Sequence, residues 1–521
     1  MEHKESTHSI FRTTAFVVGI NLLSKILGMA REALVAGAFG AEKTTDAFFA
    51  AWRMPDVLFN SLLGVLIANT FIPVFYETMN AEGEDGARRF TRATSGAVLA
   101  VLAVIACAYW LFAPQIIALV APGLDQSGNT LAVHIARLLA PMVLIGGLTG
   151  ICRSLLHARR SFLAPAALPV VLNVCVIASV LTLGRSHGIE TLAWGLVAAA
   201  VIQAAMLLAA LRRSAAMTIP ALDPSAPGLG RMGSLILPIL ATFALGNVVP
   251  LVELHLASEV STGAISYLSY AFRLFGLPEQ VFMLAFSAIL FPYLARDASR
   301  GEHGAMSAKL SAAMRLSLYL MFPMGVYIAV FSREIVRLFL GWGAFDEAAV
   351  TGTSLTLAAY AWGLFAVCAR NLLVDACFAL KAPGLILKVA AVIIPLNILL
   401  DIGLSRVMGA PGISLGFSLT AAVHCVALFL ALRPRLSGGE PGALCSALWR
   451  TVLAGGLMGA LCWWAKPWLV DAMPGHGFAW RLALLCLSAG AAGAVYVVVQ
   501  AGLRCPEQNL LVQAIRSRRG R

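Results

Sequence analysis

Long apolar stretches alternate with short polar or Pro- and Gly-containing segments along the whole 521-residue chain. Each apolar stretch is continuous and long enough to cross a bilayer as an α-helix, whereas a membrane β-barrel would show alternating segments of about ten residues. The pattern therefore predicts an all-α polytopic membrane protein with about fourteen transmembrane helices. The predicted spans are 10–38, 45–78, 92–114, 129–156, 163–184, 189–211, 231–257, 263–295, 309–331, 349–379, 383–405, 411–433, 446–470 and 479–503.

Composition excludes the main alternatives to a membrane protein. Apolar residues make up 60% of the chain, charged residues only 12%, and the mean hydropathy is +0.84. Soluble domains carry about 25% charged residues, so a water-soluble enzyme is excluded, as is a disordered chain. The ten cysteines occur singly, without a CxxC pair or zinc-like spacing to histidine, so we predict that they pack as small apolar side chains.

Nucleotide motifs are absent or out of context. There is no Walker A sequence, so we expect no ATP hydrolysis through a P-loop. The match to G-x-G-x-x-G at Gly228–Gly233 follows a Pro-rich loop rather than a strand, which argues against a dinucleotide fold. We predict a transporter rather than an enzyme.

Basic residues predict the orientation. The first apolar run carries Lys25 and Arg31 and is too long for a signal peptide, so it is predicted to be a retained helix. With the N-terminus inside, 25 Lys and Arg residues are cytoplasmic, including Arg153, and 7 lie on the other side. This asymmetry places both termini in the cytoplasm and explains the net charge of +12 without nucleic acid. The Arg-rich tail would lie at an anionic leaflet.

An internal repeat indicates two similar lobes. Three pairs of positions recur at offsets of 220, 219 and 218 residues: Arg53 and Arg273, Pro73 and Pro292, and Pro165 and Pro383. Two like halves around a midplane site are typical of a transporter that works by rocking. The predicted parts are an N-lobe of spans 1–6 (1–219), a linker (220–233), a C-lobe of spans 7–12 (234–435), and helices 13 and 14 with the basic tail (436–521).

Four basic residues within or near the spans are candidates for binding an anion. A charge at the centre of a bilayer costs at least ~2.5–3.5 kcal/mol, so these side chains must face protein or a wet cavity. The guanidinium fork matches two oxygens of a phosphate or pyrophosphate, while lysine acts as a point charge. The alternative is ion pairing with Glu32, Asp46 or Asp56. The candidates are Lys25, Arg31, Arg53 and Arg273.

A second set carries oxygen ligands. Asn397 and Asp401 are four residues apart in span 11 and so share one helical face. Carboxylate, amide and hydroxyl oxygens suit Na⁺, or one carboxylate can hold a proton. The alternative is that the acids cap or pair at helix ends, and for Asp375 we expect a local charge pair with Arg370. The set comprises Glu253, Asn397, Asp401, Ser414 and Ser418.

The segment at 24–58, SKILGMAREALVAGAFGAEKTTDAFFAAWRMPDVL, resembles the MurJ/MviN family. The family pattern is similar to S-R-x-L-G-x-x-R-(E/D)…F-G…T-D-A-F…(K/R)-x-P-N. The resemblance continues through LAPAALPVVLN, ILFPYLAR and LFLGWGAFDEAAV and covers spans 1–12. These proteins are lipid II flippases of the multidrug/oligosaccharidyl-lipid/polysaccharide exporter superfamily, and they have fourteen helices.

The resemblance implies roles for particular residues. Arg31, Asp46, Arg53 and Arg273 match polar positions of the family's central cavity, and Lys25 replaces an arginine. Some members bind sodium through an acid on span 7 and an Asn/Asp pair on span 11, which Glu253, Asn397 and Asp401 fit; Ser418 would be a further ligand. Phe59 and Asn60, the latter a polar cavity position, stand where the family usually has an arginine. Acids typical of span 2 and of some span 8 sequences are replaced at Gly64, Phe272 and Gly276.

These expectations lead to one main hypothesis and two alternatives. The main one is a monomeric lipid II flippase in the bacterial cytoplasmic (inner) membrane, contacting membrane lipids and needing no cofactor, with Na⁺ or H⁺ as the coupling ion. The departures from the family pattern motivate a flippase for another polyprenyl-linked glycan of the O-antigen or capsule type. A cation-coupled drug antiporter would require an acidic cavity, whereas this one is predicted to be basic.

Overall fold

The computed structural model describes residues 7–57, 63–213, 218–436, 441–473 and 477–508. Within these ranges the regular elements are all helical, which confirms the predicted fold class. The helices are α1 (Thr7–Phe39), α2 (Lys43–Asp56), α3 (Leu63–Leu111), α4 (Ala113–Val120), α5 (Gln126–Leu139), α6 (Pro141–Ala158), α7 (Leu163–His187), α8 (Glu190–Arg213), α9 (Leu229–Val260), α10 (Ala264–Ser299), α11 (His303–Val330), α12 (Ser332–Phe339), α13 (Glu347–Ala361), α14 (Leu364–Ala379), α15 (Pro383–Met408), α16 (Ala410–Leu432), α17 (Pro441–Asp471) and α18 (Phe478–Gly502).

The described helices that are long and apolar enough to span a membrane do not settle the predicted number of fourteen. Ten helices in the described part of the chain are long and apolar enough to cross a membrane, or up to twelve if each of two bent pairs is one span. The predicted span 349–379 is such a pair, because α13 and α14 meet at an angle of 47°. The predicted span 45–78 divides between α2 and α3, and α3 continues through a kink at Gly83, where φ is 71°. Fourteen spans therefore remains a prediction.

The repeat found in the sequence is also visible in the N-terminal caps of two helices. Asp125 precedes α5, and its carboxylate accepts a hydrogen bond from Gly128 N at 2.9 Å. Asp346 precedes α13, and its carboxylate accepts one from Ala349 N at 2.8 Å. Each carboxylate accepts a hydrogen bond from a backbone N–H group in the first turn of the helix, where such groups have no partner within the helix. The two caps are 221 positions apart, close to the offsets read from the sequence.

Two turns repeat at the same offset. Gly188 ends α7 with φ of 57°, and Gly409 ends α15 with φ of 68°. Arg160, before α7, and Lys381, before α15, also have positive φ, of 57° and 52°. An L-residue in this left-handed region is uncommon because Cβ crowds the following carbonyl oxygen. The shared geometry supports descent of the two halves from one duplicated segment.

Contacts divide the chain into two compact units. The first unit is Met1–Gly263 with the short segment Trp342–Phe345, and the second is Ala264–Gly341 with Asp346–Arg521. The first unit includes α9, which packs against α3 and α4. These units are defined by spatial contacts, whereas the predicted lobes are defined by the sequence repeat. The boundary between the units therefore follows Gly263 and does not coincide with the predicted linker at 220–233.

Each unit has its own apolar core. In the first, the ring of Phe71 stacks on the rings of Phe75 and Phe90 at centroid distances of 5.7 and 5.3 Å. In the second, Tyr319 of α11 meets Tyr496 of α18 edge-on at 5.2 Å. The three phenylalanines all belong to α3, on both sides of its kink at Gly83, whereas the tyrosine contact joins α11 to α18. Packing of this kind matters because apolar burial drives helix association only weakly where the solvent is lipid.

The first unit also carries polar ties near the end of α9. Gly123 N donates to Ser258 Oγ at 3.1 Å, and His255 Nδ1 lies 2.8 Å from the carbonyl oxygen of Leu119. His255 thus makes a structural contact with the backbone of α4. These bonds join α9 to the last turn of α4 and to the segment between α4 and α5.

A buried ion pair anchors the segment that follows α18. Arg315 Nε on α11 lies 2.8 Å from Glu507 Oε1, and the Glu507 side chain is only 2% exposed. Cys505 Sγ donates to the other carboxylate oxygen at 2.9 Å. Removing one member of such a pair leaves the other charge buried without compensation.

The Glu507→Ala variant should therefore lower the free energy of unfolding by about 3–5 kcal/mol. The matched control is Glu84→Ala, which removes a carboxylate that pairs with Arg88 and Arg159 but is 55% exposed. Exposed pairs contribute about 0–1 kcal/mol, so the control should shift little. Thermal unfolding in detergent measures both, and equal shifts in the two variants would contradict the anchoring role.

Candidate functional site

The basic residues predicted to bind an anion lie on three helices. Lys25 and Arg31 are on α1 and Arg53 is in the last turn of α2, all within the first unit. Arg273 is on α10 in the second unit. Lys25 is exposed, and the three arginines are half-buried. The surroundings of each side chain determine how much of its charge remains for a ligand.

Arg31 forms an ion pair with its neighbour in sequence. Its Nε donates to Glu32 Oε1 at 3.0 Å, and Nη2 contacts the same oxygen. The charge of Asp56 also acts on the guanidinium. Arg31 thus meets two of the acids that the sequence analysis named as pairing partners. A phosphate approaching Arg31 would share it with these carboxylates.

Arg53 has less compensation. Its Nε is buried and has no hydrogen-bond partner in the described part of the chain, and the same holds for Glu253 Oε1 on α9. The charge of Arg53 acts on the Glu253 carboxyl group. Both residues belong to the first unit, so the structure associates the acid predicted for a sodium site with a cation.

Asp46 makes a backbone hydrogen bond. It is buried in α2, and its Oδ2 accepts from Gly263 N at 2.6 Å. Beside it, Thr45 Oγ1 donates to the carbonyl oxygens of Phe39 and Gly40, at the end of α1. Asp46 therefore fixes the turn before α10, which is a structural use of a residue predicted to line a cavity. Asn60, the other predicted cavity residue, and Phe59 lie outside the described residues.

Asn397 and Asp401 are brought together as their spacing predicts. Asn397 Nδ2 lies 3.2 Å from both oxygens of the Asp401 carboxylate, and both side chains are buried on α15. A Cβ at Gly416 of α16 would lie 2.1 Å from Asp401 Oδ1, so this glycine makes room for the carboxylate.

Ser418 is held elsewhere on α16. Its Oγ donates to the carbonyl oxygen of Ala359 at 2.8 Å and lies 3.2 Å from that of Tyr360. Ser414 likewise bonds to carbonyl oxygens of its own helix. These hydroxyls keep lone pairs, yet their hydrogens already have partners. Among the described residues, no group of three or more His, Cys, Asp and Glu is placed to hold a metal ion.

A polar chain in the second unit was missed by the sequence reasoning. Arg370 Nη2 donates to Asn371 Oδ1 at 3.1 Å, and Asn371 Nδ2 donates to Glu279 Oε1 at 3.0 Å. Asp375 instead accepts from Ser287 Oγ at 2.7 Å. The expected pair of Arg370 with Asp375 is wrong, because five residues turn a helix by about 500° and place the two side chains roughly 140° apart.

Comparison with known sequences gives a family. A family model described as lipid II flippase MurJ matches residues 35–475. A Burkholderia cenocepacia protein named lipid II flippase MurJ is 28% identical over 435 residues, which cover 82% of this chain and 84% of that protein. A Rhizobium meliloti protein named probable lipid II flippase MurJ is 29% identical over 506 residues, covering 95% and 94%.

Solved structures share the fold. A lipid II flippase MurJ in an inward closed conformation matches with a TM-score of 0.79 at 20% identity, covering 94% of this chain and 98% of that one. An inward-facing multidrug resistance MATE family transporter of the MOP superfamily matches with a TM-score of 0.66 at 13% identity, covering 80% and 94%. At these identities the likeness concerns architecture.

The contact of Gly416 with Asp401 gives a prediction about stability. Gly416→Ala should force the carboxylate away from Asn397 and leave buried polar atoms without partners, at a cost of about 1–3 kcal/mol. Gly403→Ala on α15 is the matched control, since a Cβ there meets nothing within 4 Å. Thermal unfolding should show a lower midpoint for Gly416→Ala alone. An unchanged midpoint would mean that the carboxylate moves without loss.

Proposed function

The chain belongs to the lipid II flippase MurJ family, and from that premise we propose that it moves lipid II across the bacterial cytoplasmic membrane by alternating access. The observation that carries the proposal is the set of half-buried arginines on apolar helices, Arg31, Arg53 and Arg273. A transporter for organic cations would need the opposite charge on these helices. A lipid-linked pyrophosphate supplies the anion that such arginines favour.

The arginines differ in what they offer a head group. Arg53 Nε has no hydrogen-bond partner among the described residues, so an incoming phosphate oxygen would gain a full charge-assisted bond there. Arg31 already contacts Glu32, so binding there redistributes an existing pair. A ligand drives a conformational change only through different affinities for the two states. The proposal is that pyrophosphate, by binding these side chains, favours one state over the other.

The orientation is part of the proposal. Both termini are placed in the cytoplasm, supported by the 25-to-7 distribution of Lys and Arg. On this assignment, the ties of Gly123 to Ser258 and of Asp46 to Gly263 lie toward the outer face. Charge that crosses the membrane during transport would couple to the potential by about 2.3 kcal/mol per charge per 100 mV.

Coupling to sodium or protons is proposed at Asp401. The Asn397–Asp401 pair is buried and lies on an apolar helix, and the Asn397 amide contacts the Asp401 carboxylate. A buried carboxylate with an amide neighbour gains from a cation or a proton, since an ionised carboxylate is costly in the membrane. Glu253, beside Arg53, is proposed as a second acid that responds to the same ion.

The first functional prediction concerns the arginines. Arg31→Ala and Arg273→Ala should abolish rescue of a flippase-depleted bacterium while membrane insertion stays normal, because their charge serves the head group. Lys25→Arg should be tolerated, since it keeps the charge. Arg88→Ala is the matched control, as this arginine is 53% exposed on the surface.

Two outcomes would contradict this assignment. Full rescue by Arg273→Ala would show that its charge is dispensable for transport. Equal retention of lipid II and a plain phospholipid in native mass spectrometry of the wild-type protein would favour a different polyprenyl-linked glycan as cargo.

The Asn60→Arg variant should retain the pyrophosphate lipid more tightly, because it adds a positive charge, and the gain should shrink as salt rises.

The second functional prediction concerns the coupling ion. Sodium should raise the thermal unfolding midpoint of the wild-type protein more than potassium does, and Asp401→Ala should remove that difference by deleting the charged ligand. Asp375→Asn is the control, because this acid accepts from Ser287 in the same unit. A sodium effect that survives in Asp401→Ala would make the acid structural.

A further inference from the structure

We propose that the first unit contains a phosphate-binding pocket centred on Arg153, separate from the head-group residues except where Arg31 lines both. A cavity of about 250 Å³ lies among α1, α6, α7 and α8. Its walls carry Arg31, Arg153, Thr149, Asn173, Gln203 and Leu172, among others. Two guanidinium groups, a hydroxyl and two amides line the cavity together with Gly, Pro and Leu residues, so it offers polar groups within an apolar helix bundle.

Arg153 provides the charge that needs an explanation. It lies in α6, within a stretch long and apolar enough to cross the membrane, although the sequence analysis counted it as cytoplasmic. In the described part of the chain it makes no ion pair, and no hydrogen bond of its side chain is present. The other arginine on this cavity, Arg31, already contacts Glu32. Among the described residues, the charge of Arg153 therefore has no acidic partner in this cavity.

The two amides are fixed in place by backbone bonds. Asn173 Nδ2 donates to the carbonyl oxygen of Ser24 at 3.0 Å, and Gln203 Nε2 donates to that of Leu168 at 2.7 Å. Both side chains are buried. These hydrogen bonds fix the orientation of both amide side chains, and they hold α7 against α1 and α8 around the cavity. The cavity is thus built by interactions that do not depend on a ligand.

Size and charge together select the ligand class. Drug-sized ligands occupy pockets of about 300–1,000 Å³, so this cavity is small for them, whereas it has the volume of about eight waters. A small anion fits, and arginine favours oxyanions that can accept two parallel N–H bonds. Phosphate or pyrophosphate, carried by a lipid head group or present as the soluble ion, has this chemistry.

The test measures binding of inorganic pyrophosphate to full-length protein in maltoside micelles, which contain no phosphate. All variants also carry Arg273→Gln, which reduces pyrophosphate binding by the proposed head-group residues and so makes binding in the cavity easier to measure. Adding Arg153→Gln should lower pyrophosphate affinity about ten- to a hundredfold, as expected for loss of a charge-assisted bond. Adding Arg88→Gln, a surface arginine, should leave it unchanged.

A second variant guards against misfolding of the first. Leu172→Trp fills the cavity without changing its charge and should reduce affinity as strongly as Arg153→Gln. Equal affinity with and without Arg153, or undiminished binding in Leu172→Trp, would overturn the pocket. Because Arg273→Gln is predicted to stop transport yet keep this binding, failure of the proposed function and failure of the pocket are distinguishable.

The source of the phosphate follows from a competition arm. If a lipid head group reaches the pocket, adding phosphatidylglycerol to the micelles should weaken pyrophosphate binding in the Arg273→Gln protein and have no further effect once Arg153 is replaced. If the soluble ion is the ligand, phosphatidylglycerol should leave the affinity unchanged. Both results support a phosphate site and differ only in its natural occupant.

Discussion

The hydrocarbon core of a bilayer offers an ionised side chain no partner of its own, so every charge in a membrane helix must be met by protein or by water that enters with it. Several charges of this chain are met close by. Arg31 pairs with the next residue, and Lys466 Nζ lies 3.0 Å from Glu334 Oε2 and donates to the carbonyl oxygen of Val330 at 2.7 Å. Arg153 and Arg53 are the instructive exceptions: Arg153 makes no ion pair among the described residues, and Arg53 Nε is buried there without a hydrogen-bond partner.

The fold class could be predicted from the sequence because apolar runs of helical length have few other solutions in a membrane. The bends within those runs could not, because hydropathy does not register a bend. The apolar stretch 349–379 reads as one segment, yet the chain turns by 47° between Ala361 and Leu364. In the same way, α3 continues past Gly83, where a glycine permits a backbone angle that interrupts regular geometry without ending the run of helix.

Site residues were predictable where helix geometry alone decides the contact. The four-residue spacing of Asn397 and Asp401 predicts a shared face, and the two side chains meet. Contacts between distant positions were not predictable in this way. The bond from Gly263 N to Asp46 joins residues 217 positions apart, and the position of Arg153 depends on how α1, α6, α7 and α8 surround one cavity. For Asp46 the resemblance supplied a candidate role and the structure supplied the partner, whereas Arg153 was expected only to be a cytoplasmic basic residue.

The left-handed turns at Arg160 and Lys381 carry a record of ancestry. A non-glycine residue in that conformation costs on the order of 1–2 kcal/mol. Without selection, mutation would therefore tend to replace the residue by glycine or to change the conformation of the turn. Both copies instead keep a basic side chain in the same strained geometry, 221 positions apart. The simplest explanation is that a gene about half as long already encoded this turn. Duplication and fusion of that gene kept the turn in both halves, while most of the surrounding residues changed.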